Sequence, residues 1–461
     1  MLHDVTLLEI FYFCLDEDPE DWYTLVHVCQ NWRDIIFGSA RRLGLQLRCA
    51  AGTPVKEMLD IWPPLPIVVK GDGHDKWGVD NIVAALEHND RITGIYLWTF
   101  GDKFSTAEME QILAVMQQPF PALRGLRLKA DEAAPIDFAS FLGGSAPCLQ
   151  ELSLNRITLP GLPKLLLSAT HLVRLALSDI SDSGYTSPEE MVTCLSVLTR
   201  LEKFSINFKS HQSRPDHRRP PPQTRTLLPV LNTLVFDGAC EYLEDLVARI
   251  DTPLLKYLTI TFFRQQNFDT RHLNLFISRT PKFGAHDEAR VDFAEWGVWV
   301  ELLQTSDGLL KLGISCREPD WPLSSLAQLC GSSFPQDAIP VVERLYITGE
   351  FLRLHWQDDI EISQWLELFH PFTAVKDLNV SENFSPSVAL VLQELDGERV
   401  TEVLPALRTL FLEEPLPSGP ILEIIEEFVA ARELVGRPIA VSRGRRMEFR
   451  RFDFDTWSLF V

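Results

Sequence analysis

The sequence predicts an α/β fold: a small N-terminal helical domain, then a long stack of strand-and-helix units with a curved parallel sheet inside and helices outside. Three observations carry this. Six-residue segments with apolar side chains at positions one, four and six recur along the chain: LRGLRL from Leu123, LQELSL from Leu149, LVRLAL from Leu172, LNTLVF from Leu231, LKYLTI from Leu255 and LRTLFL from Leu407. The stretches between them have helical periodicity. The opening residues have helical periodicity and no such segment.

In the first segment, Leu7, Leu8, Phe11 and Leu15 form an apolar stripe at helical spacing. Asp18-Pro19-Glu20-Asp21 then supplies a capping Asp, a proline suited to a first turn and acids for the positive helix end. Trp22, Leu25, Val26 and Cys29 continue on one side, Asn31 to Phe37 form a third helical piece, and Gly38 ends it. A core of three short helices is too small to stand alone, so packing against another body is expected.

The repeated segments read as strands because positions four and six, two apart, leave the same face of an extended chain. Weaker copies begin at Ile92, Leu201, Glu288, Leu309, Val342 and Val375, with start-to-start distances of 21 to 33 residues. Helix starts lie between them: Ser105 with Glu108, and Ser187 with Glu190, match a capping box. Helical stripes include Met109, Ile112, Leu113 and Met116, then Leu243, Leu246, Val247 and Ile250, and finally Ile421, Ile424, Ile425 and Phe428. Such units bury together what none buries alone. From about 90 to 435 the pattern resembles leucine-rich repeats. It departs from them at the ninth position, where Asp131, Ile157, Ile180 and Ala239 stand in place of Asn or Cys and only Asn383 conforms. The expected domains are 1–48, helical; 49–90, a connection and cap; and 91–461, repeats interrupted at about 209–226 by a basic, proline-rich insertion.

The first segment, LHDVTLLEIF with VHVCQNWRDI, resembles an F-box: Leu2, Leu8, Ile10, Val28, Cys29 and Trp32 match, and His3 stands where the family has proline. With repeats behind it, the chain is similar to F-box-like proteins of mushroom-forming fungi. The resemblance implies a substrate-recognition adaptor of an SCF-type ubiquitin ligase. Its F-box would dock a Skp-type linker carrying a cullin, through Leu2, Leu8, Ile10 and Trp32, while the repeats hold a protein target. The alternative is a leucine-rich-repeat interaction scaffold with no ubiquitin-ligase role. Catalysis would belong to other subunits, and Cys29 would be a helix-core or interface thiol.

Composition narrows the classes. An apolar fraction of 46% with 23% charged residues is that of a globular chain. The net charge of −21 argues against nucleic acid or an anionic membrane as partner. Two islands run the other way, 209–226 at +4 and 437–455 at +3. The eight cysteines stand singly, giving neither a zinc nor a disulfide framework. No nucleophile elbow, HExxH, P-loop or EF-hand motif is present, so no enzyme activity, cofactor or metal is expected. With no signal-peptide pattern or long apolar run, the expected location is cytoplasmic or nuclear. The residues between the apolar strand positions are expected to face the concave side. They offer Trp98, Arg124, Arg127, Glu151, Arg174, Lys203, Lys256, Tyr257, Lys376 and Arg408, a largely basic row suited to an acidic or phosphorylated target segment.

Overall fold

The computed structural model describes residues 3–17, 22–50, 52, 54–71, 78–97, 106–135, 140–158, 161–209, 224–265, 267–284, 286–294, 296–304, 308–316, 322–335, 338–349, 361–395, 397–413 and 420–444. The chain forms two compact units, 1–174 and 175–461.

The first unit begins with α1 (Asp4–Glu17), α2 (Trp22–Leu25) and α3 (Gln30–Gly38). Leu7, Phe11 and Leu15 are buried along α1, with Trp22, Val26 and Ile36 beneath them. The Trp22 indole lies edge-on to Trp62 at 5.3 Å and donates its Nε1 hydrogen to the Gln46 carbonyl at 3.1 Å, so the helices are anchored to the segment that follows them. Strand and helix then alternate: β1 (Leu47–Cys49), α4 (Val55–Ile61), β2 (Ile67–Gly71), α5 (Val79–Leu86), β3 (Ile92–Leu97), α6 (Thr106–Val115), β4 (Gly125–Pro135), β5 (Glu151–Thr158) and α7 (Leu162–Ser168). The five strands pair in sequence order, all parallel. The residues between the N-terminal helices and Ile92 thus add two strands to this sheet.

The second unit continues with β6 (Arg174–Ile180), α8 (Pro188–Leu195), β7 (Lys203–Phe208), β8 (Thr226–Leu227), β9 (Thr233–Gly238), α9 (Cys240–Val247), β10 (Ile250–Asp251), β11 (Tyr257–Phe263), α10 (Arg271–Arg279), β12 (Glu288–Ala294), β13 (Gly297–Gln304), β14 (Gly308–Ser315), α11 (Leu323–Ser333), β15 (Arg344–Gly349), α12 (Ile362–Phe369), β16 (Asp377–Val380), α13 (Ser385–Gln393), β17 (Thr409–Glu413), α14 (Pro420–Leu434) and β18 (Ala440–Gly444). Its main sheet runs β6-β7-β9-β11-β14-β13-β12-β15-β16-β17-β18, and β8 pairs with β10 apart from it. The predicted capping box at Ser187 forms: Oγ accepts the Glu190 N–H at 3.2 Å, and the Glu190 carboxylate accepts the Ser187 N–H at 3.4 Å. The box at Ser105 lies outside the described residues.

The repeat chemistry is as the pattern predicts. Leu123, Leu149, Leu172, Leu201, Leu231, Leu255, Val342, Val375 and Leu407 at position one, with their partners at four and six, are each no more than 3% exposed. Three such side chains contribute roughly 5–8 kcal/mol of burial per repeat, as an upper bound. This is a solenoid-like repeat architecture of mixed α/β class.

One part of the expected all-parallel stack is corrected. The copies read from Glu288 and Leu309 are not successive repeats: β13 is antiparallel to both β12 and β14, and β12 pairs with β15 while β14 pairs with β11. The connections at 295–296 and 305–307 are too short for the helical crossover that parallel neighbours need, so the chain can only turn back as hairpins. The register also shifts both starts, since Ala289 rather than Val291 pairs with Leu345, and Leu310 rather than Leu312 pairs with Leu258. The insertion expected at 209–226 falls mostly outside the described residues, but its last residue, Thr226, is in β8, paired with Ile250.

Candidate functional site

The first unit's sheet presents two neighbouring rows on one face. Arg48, Val68, Gly94, Gly125 and Glu151 are in register across β1 to β5, and two residues further along are Lys70, Tyr96, Arg127 and Ser153. The consecutive glycines leave a gap, and the Tyr96 ring leans across to fill it. A Cβ at Gly94 would lie 2.6 Å from the Tyr96 ring, and one at Gly125 would run into its hydroxyl. Only glycine at both positions lets the ring lie flat on the backbone.

Tyr96 then organises its surroundings. The Arg127 guanidinium sits 5.7 Å from the ring centre and donates from Nε to Glu151 Oε1 at 2.6 Å, with a second contact from Nη2 to the same carboxylate. Burial and the Glu151 charge push the Tyr96 phenol pKa up, while Arg127 and Arg174 pull it down. Above this floor opens a groove of about 1190 Å³, walled by residues 40–48 after α3, by Pro64–Pro66, and by the sheet. Among the described residues, Arg41, Arg48, Lys70, Arg124 and Arg127 line it together with the carboxylate of Glu151, and Leu45, Leu65 and Val68 supply apolar surface.

Of the residues predicted to meet a target, Arg124, Arg127 and Glu151 come together in this groove, and Arg174 is exposed with its charge felt at Tyr96. Arg127 is less available than expected, because the Glu151 pair leaves its side chain only 15% exposed. The others do not form one row. Exposed Lys256 and half-buried Tyr257 sit at the start of β11. Lys376, paired with Glu343, and exposed Arg408 sit at the starts of β16 and β17. Between β11 and β16 lie β14, β13, β12 and β15, about 24 Å of sheet at the usual strand spacing. Half-buried Lys203 opens β7, and Trp98 lies outside the described residues.

Sequence reading missed Arg41, Arg48, Lys70 and Tyr96. A signal existed for Tyr96: ITGIYL and LRGLRL carry glycine at the same repeat position, side by side in space.

A parallel device occurs in the second unit. The Trp299 indole lies over Gly297 and Gly313, donates to Thr261 Oγ1 at 3.1 Å, and has the Lys311 ammonium 5.0 Å from its ring. Lys311 pairs with the buried carboxylate of Glu301 at 2.6 Å, and Arg290 with Asp292 and Thr348 at 2.8 Å each. These charges satisfy one another, so this cluster holds the hairpin strands together rather than meeting a ligand.

The helical segment has a different surface. α1 also turns apolar side chains outward: with Leu7, Phe11 and Leu15 buried, Val5, Ile10, Tyr12 and Phe13 are exposed, Phe13 by 75%, and Glu9 among them pairs with Arg42. Of the expected docking residues, Ile10 is 43% exposed and Leu8 is half-buried. Trp32 packs edge-on against Phe11 at 4.8 Å, so it supports the helices as well. Leu2 lies outside the described residues. Cys29 is exposed at the N-terminus of α3, not in the helix core. Buried Cys49 and Cys194 have their thiol pKa pushed up to about 11 by burial, which leaves them unreactive. Among the described residues no group of His, Cys, Asp and Glu could hold a metal ion, and no helix is long and apolar enough to cross a membrane.

No family model matches the sequence, and no curated protein matches it. Among solved structures, the leucine-rich repeat-containing protein LegL7 from Legionella pneumophila is similar at 14% identity over 85% of this chain and 98% of that one, with a TM-score of 0.28. TLR13, solved as a complex with ssRNA13, is similar at 11% identity over 78% of this chain and 44% of its own, with a TM-score of 0.29.

Proposed function

We propose that this chain is the substrate-recognition adaptor of an SCF-type ubiquitin ligase: the N-terminal helices dock a Skp-type linker carrying a cullin, and the repeats hold a protein target. The observation that carries the reading is α1. A helix with one apolar face packed inward and a second turned outward is expected to be covered by a partner. That outward face includes Ile10, one of the positions where the F-box resemblance places linker contacts. The runner-up, an interaction scaffold without a ligase role, takes its support from His3 standing in place of the family's proline directly before α1.

The test is capture of a purified Skp-type linker by the full-length chain. Ile10→Asp with Phe13→Asp places two carboxylates on the outward face and should weaken capture at least about tenfold with thermal unfolding unchanged, because neither side chain is buried. Trp32→Ala is a poorer probe, since it also removes the ring against Phe11. Wild-type protein that captures no linker would leave the scaffold reading, and His3→Pro restoring capture would identify the single departure responsible.

A further inference from the structure

The repeat register leaves one core position filled by a titratable side chain. The backbone amides of Lys256 and Tyr257 donate to the Asn232 carbonyl, and Asn232 follows Leu231, the first apolar position of its repeat. The amides of Glu343 and Arg344 donate in the same way to the Asp287 carbonyl, at 3.0 and 3.1 Å, so the residue before it, His286, stands at position one of the β12 repeat. Leu201, Leu231, Leu255, Val342, Val375 and Leu407 hold this place in other repeats of the second unit. His286 is as buried as they are, 1% exposed, and among the described residues neither ring nitrogen has a partner in hydrogen-bonding geometry. We propose that His286 is an acid-operated latch, whose protonation at mildly acidic pH opens the seam between β12 and β15. The latch is independent of what the repeats hold.

The site treats the two protonation states unequally. A neutral imidazole in an apolar site leaves one donor and one acceptor unmet, whereas imidazolium brings in a charge and two donors. Ala289 and Val291, the other inward residues of this repeat, and Val342, at position one of the next, are fully buried and offer no acceptor side chain. Burial pushes the His286 pKa down, against smaller upward pulls from the Gly284 backbone and Asp287. Charged groups on the adjoining elements are engaged or exposed. Asp287 and Glu288 pair with Arg344, and Glu343 pairs with Lys376. Glu301 of β13 pairs with Lys311 of β14, Arg279 at the end of α10 pairs with Asp251, and Lys282 on the preceding turn is exposed. α11 carries no charged residue. β12 and β15 are neighbours in the sheet but not in the chain, which runs through β13, β14 and α11 between them, so opening here strains no tight connection. Because an opened chain takes up the proton at about pH 6.5 and the closed one only below that, opening rises as pH falls below about 6.5, by up to about tenfold per pH unit.

The experiment is amide hydrogen exchange on the full-length chain across mildly acidic pH, corrected for the intrinsic rate of each amide. It is read locally because Asp237, with its pKa raised to about 7, also titrates in this range. The Glu343 and Arg344 amides should open about tenfold more at about pH 5.5 than at about pH 6.5, while Lys256 and Tyr257, bonded in the same way beside Leu231, should not change. His286→Leu places the residue of the other repeats at the site, and should abolish the acid response and slow exchange at neutral pH. His286→Gln keeps a polar side chain that does not titrate and should abolish the response as well, which separates loss of the proton from repacking of the core. A flat profile at Glu343 and Arg344 in the wild-type chain overturns the proposal. So does acceleration shared equally by Lys256 and Tyr257, which marks global unfolding. Acceleration that survives both substitutions also overturns it, and assigns the response to the carboxylates around Arg344.

Discussion

Glu244 links two neighbouring repeats in a way that can be measured. It lies in α9, is only 7% exposed, and its two carboxylate oxygens accept the backbone N–H groups of His272 and Leu273, each at 2.8 Å. Those amides belong to the first turn of α10 and have no partner within their own helix. The residue at the cap position, Thr270, does not serve them, since its hydroxyl is turned to Ser332 at 2.8 Å. A carboxylate from the preceding helix therefore does the work of an N-cap, at the end of the macrodipole where negative charge is favoured. Glu244→Ala removes two charge-assisted hydrogen bonds worth about 1.5 kcal/mol each and strips the buried Leu273 amide of its acceptor, so the expected loss is about 3–4 kcal/mol. Glu244→Gln keeps one acceptor and should lose about half as much. Urea unfolding gives the global value, and amide hydrogen exchange at His272 and Leu273 gives the local one, where 3 kcal/mol corresponds to about a hundredfold faster opening. If Glu244→Ala leaves both the urea midpoint and those two exchange rates unchanged, the amides are served by something else and the reasoning fails.

Two further outcomes are expected. Burial and the neighbouring Asp179 raise the Asp237 carboxyl pKa to about 7, against a counteracting hydrogen bond from Asn207. Because the folded state holds this proton up to about pH 7 and the unfolded chain only to about pH 4, stability should rise as pH falls between those values. Asp237→Asn should flatten that slope and add on the order of 1 kcal/mol at pH 8, as read from urea midpoints across pH; an unchanged slope would refute the assignment. Gly313→Ala would drive a methyl group into the Trp299 indole and should cost about 2–3 kcal/mol with an altered tryptophan emission. Gly331→Ala, where no atom lies within 4 Å of the added carbon, should be neutral or slightly stabilising in α11; equal effects from the two would dismiss the slot.

By itself the sequence determined the repeat. Whether Leu126 and Leu128 share a face depends only on their separation of two in an extended chain, and the burial of both follows from that local geometry. The helical character of the opening residues and the Ser187 capping box are equally local, with all partners a few residues apart. Tertiary structure decided what depends on strands far apart in sequence. The hairpin order of β12, β13 and β14 was invisible because each strand carries the same alternating pattern in either direction, and only short connections betray it. The groove required Arg41 after α3 and Arg48 in β1 to meet Lys70 in β2 and Arg124 and Arg127 at β4. Which cations remain available was likewise decided in space: Arg127 and Lys376 look alike in sequence to Arg124 and Arg408. The first two, however, meet Glu151 and Glu343 from neighbouring repeats, and a charge with a partner across the ladder is a different chemical group from one that faces water.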